Sequence, residues 1–321
     1  MKKGTKFLYL FASCLIVFGL IIAAIGFFSG AHYSVSFNGT SVEVDKHDTL
    51  KKKTVALKAF ENVNIDINDA DISFIPSDEY KVELSYLSKQ KWTCEVKNGT
   101  LFIKYKDHNE KARFSLNFGL SASNQAKIKI YVPKEQMINQ FTLINKYGDT
   151  SINGLSSQKL SVESNDGDLA LLNISTNSLS IANEYGDSVV KNVSTNDFSI
   201  AGNDGDMLIQ NLNAMKATVS NKYGDIAIRQ VNSKGLTINS TDGDLSLSGS
   251  LKGMTEINSD YGDVWVKPTN NQKSLGYQLK TQYGDIIVNN KPFEGTVTSS
   301  EHNKDMLTVK AQDGDIALKF Q

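Results

Sequence analysis

The sequence is dominated by a glycine–aspartate pair that recurs at a fixed interval. Tyr-Gly-Asp or Asp-Gly-Asp occurs nine times from residue 147 onwards, and the first seven glycines are spaced 19 residues apart. The last two follow after 22 and 30 residues. A period of this size is typical of solenoids, in which each unit stacks on its neighbour and buries a shared core. The nine predicted corner pairs are Gly148 and Asp149, Gly167 and Asp168, Gly186 and Asp187, Gly205 and Asp206, Gly224 and Asp225, Gly243 and Asp244, Gly262 and Asp263, Gly284 and Asp285, and Gly314 and Asp315.

Apolar residues surround the glycines at fixed distances. In most units they lie seven and five residues before the glycine and two and four residues after it, as Leu236, Ile238, Leu245 and Leu247 do around Gly243. A spacing of two indicates strands with one buried face. The glycine itself marks a corner that needs a positive φ or a close backbone approach. The sequence therefore predicts an all-β parallel β-solenoid, with helical signals confined to the N-terminus.

A second period doubles the first. The residue before the glycine alternates between tyrosine and aspartate, as in Tyr147, Asp166, Tyr185 and Asp204. Solenoid coils tend to stack like on like, because a ladder of identical side chains repeats one contact every ~4.8 Å. We therefore expect a 38-residue coil of two 19-residue half-repeats, with tyrosines on one corner and aspartates on another. The alternative is a 19-residue coil, in which Tyr147 and Tyr185 lie two coils apart.

The region before the regular repeats carries the same pattern in degenerate form. The run from Val63 to Phe74 matches the repeat register with Ala70 in the glycine position. Asn98-Gly99 between alternating apolar residues predicts a tight hairpin. Because the end repeats of a solenoid need a covering, residues 60–140 are predicted to form an N-terminal β cap and residues 141–321 the regular solenoid.

The N-terminus carries the strongest local signal. Residues 7–28 contain no charge, and about 20 apolar residues span a bilayer as a helix. Lys2, Lys3 and Lys6 precede this segment, which predicts a cytoplasmic tail over residues 1–6 and an extracellular remainder at the cell membrane. The alternative is a cleaved signal peptide, although the apolar stretch exceeds the roughly 7–15 residues of a signal core. Residues 29–59 would then form a polar stalk.

Charge and cysteine content restrict the function further. There are 34 basic and 35 acidic residues, and the remainder after Lys6 is mildly acidic. A nucleic-acid-binding protein needs a basic face, so no nucleic-acid partner is expected. The two cysteines, Cys14 and Cys94, are too few for a disulfide framework, which fits a bacterial surface protein.

The corner aspartates have two interpretations. Aspartate caps turns by accepting backbone N–H groups, and this structural role is the favoured one. The alternative is that stacked carboxylates share calcium ions between coils, although the glycine-rich calcium-binding nonapeptide pattern is absent. The calcium candidates are Asp166, Asp168, Asp204, Asp206, Asp242 and Asp244.

The sequence predicts a protein without enzymatic activity and without a cofactor. β-Helix enzymes that act on polysaccharides use paired carboxylates, whereas these aspartates are spread evenly along a corner. The histidines match no metal or nucleophile spacing, and there is no nucleophile elbow, phosphate loop or dinucleotide motif. The four histidines are His32, His47, His108 and His302.

Two insertions interrupt the period late in the chain. They run from Pro268 to Gly276 and from Asn289 to Asp305. Insertions in repeats commonly form loops on a binding face, so these are candidate binding loops. The final strand, over residues 316–320, has no obvious cover and would allow self-association through its edge. The residues that these loops would present include Phe293, Glu294 and His302.

These features resemble the putative-adhesin β-strand-repeat family, which includes LiaG-like proteins of Gram-positive cell envelopes. The resemblance rests on the N-terminal apolar segment, the run from Val63 to Phe74, the strand Lys127–Pro133 and the serial Gly-Asp corners. It implies a membrane-anchored extracytoplasmic protein linked to the envelope or to envelope-stress systems. Because an anchor and a regular stack occur without a catalytic cluster, the leading hypothesis is a surface protein that binds an envelope component. The alternative function is a regulatory or sensory subunit that acts through a membrane partner in an envelope-stress system. A carbohydrate-active enzyme is the third possibility.

Overall fold

The computed structural model describes most of the chain as two compact units. The first comprises Met1–Leu50, Leu87–Lys89 and His108–Asn124, and the second comprises the remaining residues. The described residues are 15–19, 21–22, 25, 33–37, 42–45, 50–88, 90–105, 114–118, 125–299 and 303–320.

The first unit contains a three-stranded antiparallel sheet. Strand β1 (Tyr33–Phe37) lies between β2 (Val42–Asp45) and β9 (Phe114–Phe118). Part of the segment predicted as a stalk therefore forms a sheet. Most of the predicted anchor over residues 7–28 lies outside the described residues, and no helix in the described ranges has the length and apolar character needed to cross a bilayer.

The second unit is built of strands that pair mainly in parallel, as predicted. Its strands are β3 (Leu50–Ala56), β4 (Asn62–Asp69), β5 (Asp71–Ser77), β6 (Lys81–Leu87), β7 (Trp92–Lys97), β8 (Thr100–Tyr105), β10 (Lys127–Pro133), β11 (Met137–Tyr147), β12 (Thr150–Asn153), β13 (Ser156–Asp166), β14 (Leu169–Tyr185), β15 (Ser188–Asp204), β16 (Met207–Tyr223), β17 (Ile226–Asp242), β18 (Leu245–Tyr261), β19 (Val264–Pro268), β20 (Leu275–Tyr283), β21 (Ile286–Val288), β22 (Lys291–Phe293), β23 (Thr296–Ser299), β24 (Asp305–Asp313) and β25 (Ile316–Leu318).

Each regular coil is 19 residues long, so the prediction of a 38-residue coil was wrong. Tyr147 pairs with Asp166, and Asp166 pairs in turn with Tyr185. Tyr147 and Tyr185 consequently lie two coils apart. Successive 19-residue units stack directly on one another from β11 to β18.

Side-chain packing between coils follows the 38-residue period over part of the stack. Three residues before the glycine, the inward position alternates between asparagine and a smaller residue from Asn145 to Ser240, as in Asn183, Gly202 and Asn221, and the alternation ends at Ser259. A Cβ atom on Gly202 would lie 2.6 Å from Oδ1 of Asn221. In this coil a residue without a side chain therefore leaves room for Asn221 on the neighbouring coil. The sequence repeats every two coils while the backbone repeats every coil.

Each regular coil has three sides. In the coil after Gly167, side A covers Leu169 to Leu172, side B covers Ile174 to Thr176 and side C covers Leu179 to Tyr185. Inward and outward residues alternate along each side, and Asn173 forms the corner between sides A and B with a φ of 56°. Asparagine tolerates this left-handed conformation better than most residues. We use the same side names for the equivalent residues of every coil.

The glycine corners allow neighbouring coils to approach closely. Gly186 has a φ of 119°, and a Cβ atom there would lie 2.5 Å from the carbonyl oxygen of Gly167. Only glycine adopts this conformation readily and leaves room for the neighbouring backbone. The corner glycines are therefore structural, as the sequence predicts.

The last coil of the chain is an interior coil. Strand β24 pairs with β18 on one side and β20 on the other, and β25 lies in the same way between β19 and β21. The prediction of an uncovered edge at residues 316–320 was therefore wrong. After β19 the chain leaves one coil position empty and forms β20 and β21 in the position beyond it. It then returns, and β24 and β25 occupy the empty position.

The first coil of the unit is also an interior one. Strand β4 lies between β8 and β11, and β5 lies between β10 and β12. Antiparallel strands cover both ends of the stack: β6 and β7 pair with β10 and β8, while β22 and β23 pair with β21 and β20. The predicted hairpin at Asn98-Gly99 is confirmed, since it joins β7 to β8 with both residues at positive φ.

We expect the variant Gly186→Ala to lose at least about 2 kcal/mol of unfolding free energy, because it combines a strained φ with a backbone clash. Gly295→Ala is the control. Gly295 also has a positive φ, 75°, but nothing lies within 4 Å of an added Cβ. Its expected cost is only about 1 kcal/mol. Urea denaturation of both variants measures the difference, and equal losses would contradict the close-approach explanation.

We expect Ile316→Ala to destabilise the protein as much as Ile226→Ala, by about 2–4 kcal/mol. The two residues occupy the same position in their coils and are fully buried. A fraying terminal strand would instead lose less than about 1 kcal/mol. Denaturant unfolding distinguishes these cases, and hydrogen exchange at the Ile316 amide, which donates to the Asp285 carbonyl, gives a second measure.

Candidate functional site

One row of outward side chains runs the length of the solenoid beside the glycine corner. This corner row consists of the residue before each corner, and tyrosine and aspartate alternate in it without exception. The return of the chain at the C-terminal end preserves the alternation, because it places Asp313 between Tyr261 and Tyr283. In stacking order the row is Asp69, Tyr147, Asp166, Tyr185, Asp204, Tyr223, Asp242, Tyr261, Asp313 and Tyr283.

The tyrosines of the corner row are open to solvent. Their exposed fractions run from 48% at Tyr185 to 62% at Tyr283. Because neighbouring coils are ~4.8 Å apart, consecutive tyrosines are separated by about 10 Å. Within the described ranges none of the five rings stacks on another aromatic ring. The row therefore offers evenly spaced aromatic surfaces with carboxylates between them.

The aspartates that follow the glycines form a second row with a structural role. Oδ1 of Asp187 accepts the backbone N–H of Asp206 at 2.9 Å, and Oδ1 of Asp206 accepts that of Asp225 at 2.8 Å. The capping role is thus present, but each carboxylate caps the next coil instead of its own turn. The ladder runs through Asp71, Asp149, Asp168, Asp187, Asp206, Asp225, Asp244, Asp263, Asp315 and Asp285.

The calcium candidates are not brought together as the hypothesis required. Asp166 and Asp204 lie two coils apart with Tyr185 between them. Asp168 already accepts the N–H of Asp187 at 3.0 Å. In the part of the chain that the structure describes, no three His, Cys, Asp or Glu side chains are grouped to hold a metal ion.

The two late insertions contribute to the architecture of the stack. In the first, the Asn270 side chain accepts the N–H of Leu251 and donates to its carbonyl oxygen, at 2.8 and 2.6 Å. Pro268 and Gly276 at its ends are buried. The second insertion contains β22 and β23, which cover the outermost coil.

The remaining loop candidates do not form a common site in the described residues. Phe293 is 41% exposed at the end of β22, and the neighbouring Glu294 is exposed. His302 lies outside the described residues, as do the other three histidines. Cys94 is partly buried, and burial raises the pKa of its thiol to about 11, so it stays protonated at neutral pH. A protonated thiol is a poor nucleophile.

Parallel 19-residue coils with glycine corners define a class of all-β repeat scaffolds. The chain belongs to the Toastrack DUF4097 family, whose model matches residues 60–319. A search of curated proteins finds no significant match.

Several solved structures align with this chain at low sequence identity. A "putative lipid binding protein" from Parabacteroides distasonis ATCC 8503 aligns with a TM-score of 0.50 and 12% identity, over 84% of this chain and 96% of that one. A "putative adhesin" from Bacteroides fragilis NCTC 9343 aligns with a TM-score of 0.43 and 15% identity, over 85% and 97%. At such identities the likeness concerns the fold alone.

We expect Asp206→Ala to lower the free energy of unfolding by about 1 kcal/mol, because the Asp225 N–H loses its acceptor on the neighbouring coil. Asp206→Asn keeps an oxygen at the same place and is expected to cost less than half as much. Chemical denaturation of the two variants gives the comparison. Equal destabilisation by both would show that the negative charge matters more than the hydrogen bond.

Proposed function

We propose that this protein is a non-enzymatic binding protein of the cell envelope, and that its corner row holds an extended wall polysaccharide. The observation that carries this proposal is the row of five exposed tyrosines, alternating with aspartates at a constant interval. A periodic surface on a stacked scaffold suits a periodic ligand, since each repeat of the ligand meets the same contacts.

The chemistry of the row matches a sugar polymer. Tyrosine provides a rigid amphipathic surface at a small cost in conformational entropy, and an uncharged sugar ring stacks on such a surface. The intervening carboxylates are acceptors for sugar hydroxyl groups. In an extended β-1,4-linked glycan, two sugar units span about the same length as two coils. Each tyrosine would therefore meet an equivalent sugar ring.

Weak contacts repeated along one polymer combine into stable binding. A single exposed tyrosine contributes little by itself, but contacts after the first are intramolecular and add through their effective concentration. This design favours a long polymer over a small sugar.

The wider setting of the proposal comes from the sequence. The apolar segment over residues 7–28 would anchor the chain in the cell membrane as a single span, with the solenoid outside and a LiaG-like place in a Gram-positive envelope. The descriptions of the structural neighbours as putative adhesins or lipid-binding proteins agree with a binding role at a surface.

The test is co-sedimentation of the full-length chain, in a mild uncharged detergent, with purified cell walls. We expect the wild type to pellet and the triple variant Tyr185→Ala, Tyr223→Ala, Tyr261→Ala to stay in solution. At about 1 kcal/mol for each truncated aromatic contact, its Kd should rise about a hundredfold. The corresponding Tyr→Phe triple variant keeps the rings and is expected to retain most of the binding.

The matched control replaces Met215 and Met254 by alanine. Both side chains are exposed, at 49% and 65%, but lie outside the corner row. Their loss is expected to leave pelleting unchanged. Equal pelleting of the wild type and the tyrosine variant would contradict the assignment of the site. If the wild type does not pellet with cell walls, the proposal is overturned and the accessory-subunit alternative is favoured.

A further inference from the structure

A second distinctive surface lies on side A near the C-terminal end of the stack. It is a cleft of about 430 Å³ over Ser246 and Ser248, bounded by Arg229 on one side and by Trp265 and Lys267 on the other. The corner row does not contribute to it. We call this surface the side A cleft.

Small residues create the cleft. Ser246 lies in register between Ala227 and Trp265, and Ser248 lies in register with Lys267. The short serine side chains therefore leave a depression beside the large side chains of the neighbouring coil. Between these outward residues lie Ile228, Leu247 and Val266, whose side chains are buried in the core, so the small serine side chains form the floor of the cleft.

The backbone is irregular at the cleft. The register between β17 and β18 shifts between Ile228 and Val231, so Arg229 sits in the irregular segment. Such bulges redirect side chains and are frequent beside binding sites. The shortened corner at Gly249 packs so closely on Val231 that no side chain would fit there.

Trp265 presents an uncovered ring system. Its neighbours in the same row are Ser246 and Ala317, both too small to cover an indole. The side chain is 43% exposed. An exposed tryptophan between two small residues offers ring surface for stacking and an indole N–H for donation.

The charge of the cleft is entirely positive. Arg229, Lys267 and Lys319 line it, no acidic residue does, and within the described ranges none of the three is in an ion pair. Leu318 pairs with Val266, which places Lys319 on the coil next to that of Lys267. Like charges on neighbouring strands are destabilising, and an anion between them would relieve the repulsion.

We propose that the side A cleft binds a phosphate ester of a sugar or polyol. The phosphate lies among Arg229, Lys267 and Lys319, and the sugar or polyol lies against Trp265. Arginine and lysine are the usual partners of phosphate oxygens, and the guanidinium adds bidentate geometry. The ligand is either a soluble phosphate ester or the headgroup of an anionic lipid. This site is independent of the corner row and of the wall polysaccharide.

The experiment is isothermal titration calorimetry on the full-length chain in phosphatidylcholine nanodiscs at low ionic strength. The probes are glucose 1-phosphate, glycerophosphoglycerol (the deacylated headgroup of phosphatidylglycerol), inorganic phosphate and glucose. We expect one of the two esters to bind more tightly than inorganic phosphate and glucose to give no heat. Which ester binds better distinguishes a soluble sugar phosphate from a lipid headgroup.

The variants separate the cleft from general surface charge. The double variant Arg229→Gln, Lys267→Gln should weaken ester binding at least tenfold, and Trp265→Ala should remove the advantage of the esters over inorganic phosphate. The control Lys216→Gln, Lys222→Gln removes two exposed lysines that lie outside side A and should leave binding unchanged. All the altered side chains are exposed, so circular dichroism should show an unchanged fold. The absence of binding heat with either ester, or an equal loss of ester binding in the control variant, would overturn the proposal.

Discussion

The close approach of neighbouring backbones at the glycine corner determines the rest of the structure. With no Cβ atom, each corner lies directly on the carbonyl group of the coil beside it. This contact brings the following aspartate within hydrogen-bonding distance of the next N–H, as at Asp206 and Asp225. It also holds the residue before the glycine outward, where the corner row forms. One backbone constraint thus sets coil stacking, the aspartate ladder and the exposed tyrosines.

The second constraint is volume. Asparagines such as Asn183 and Asn221 fill the space inside the corner, and the coil between them needs a smaller residue such as Gly202. Outside the corner, tyrosine separates aspartates that would otherwise repel one another at the ~4.8 Å spacing of strands. The two alternations have the same phase in the coils from Tyr147 to Asp242, and the inner one ends at Ser259. In these coils the candidate polysaccharide site and the packed core therefore share one two-coil period.

The ends of the stack follow from the same rules. If the last coils stacked in chain order, Tyr261 would adjoin Tyr283. The observed order places Asp313 between them. The insertions supply the chain length that this exchange needs, and they also provide the antiparallel strands β22 and β23 that cover the outermost coil. The two insertions, which the sequence marks as candidate binding loops, thus contribute to the packing and covering of the stack. The side A cleft arises instead at Ser246 and Ser248, which no sequence motif marks.

The sequence by itself determined the all-β solenoid class, the glycine corners and the inward positions, because positive φ and an apolar spacing of two are local requirements. It also revealed the alternation of Tyr147 and Asp166. Only the tertiary structure decided that the coil has 19 residues, that β24 and β25 lie inside the stack, and that Arg229 and Trp265 border one cleft. The physical reason is that parallel coils offer every neighbour the same backbone hydrogen bonds. The order in which the coils stack is therefore determined by the volume and charge of side chains on neighbouring coils. The sequence pattern alone does not show which side chains become neighbours in this way.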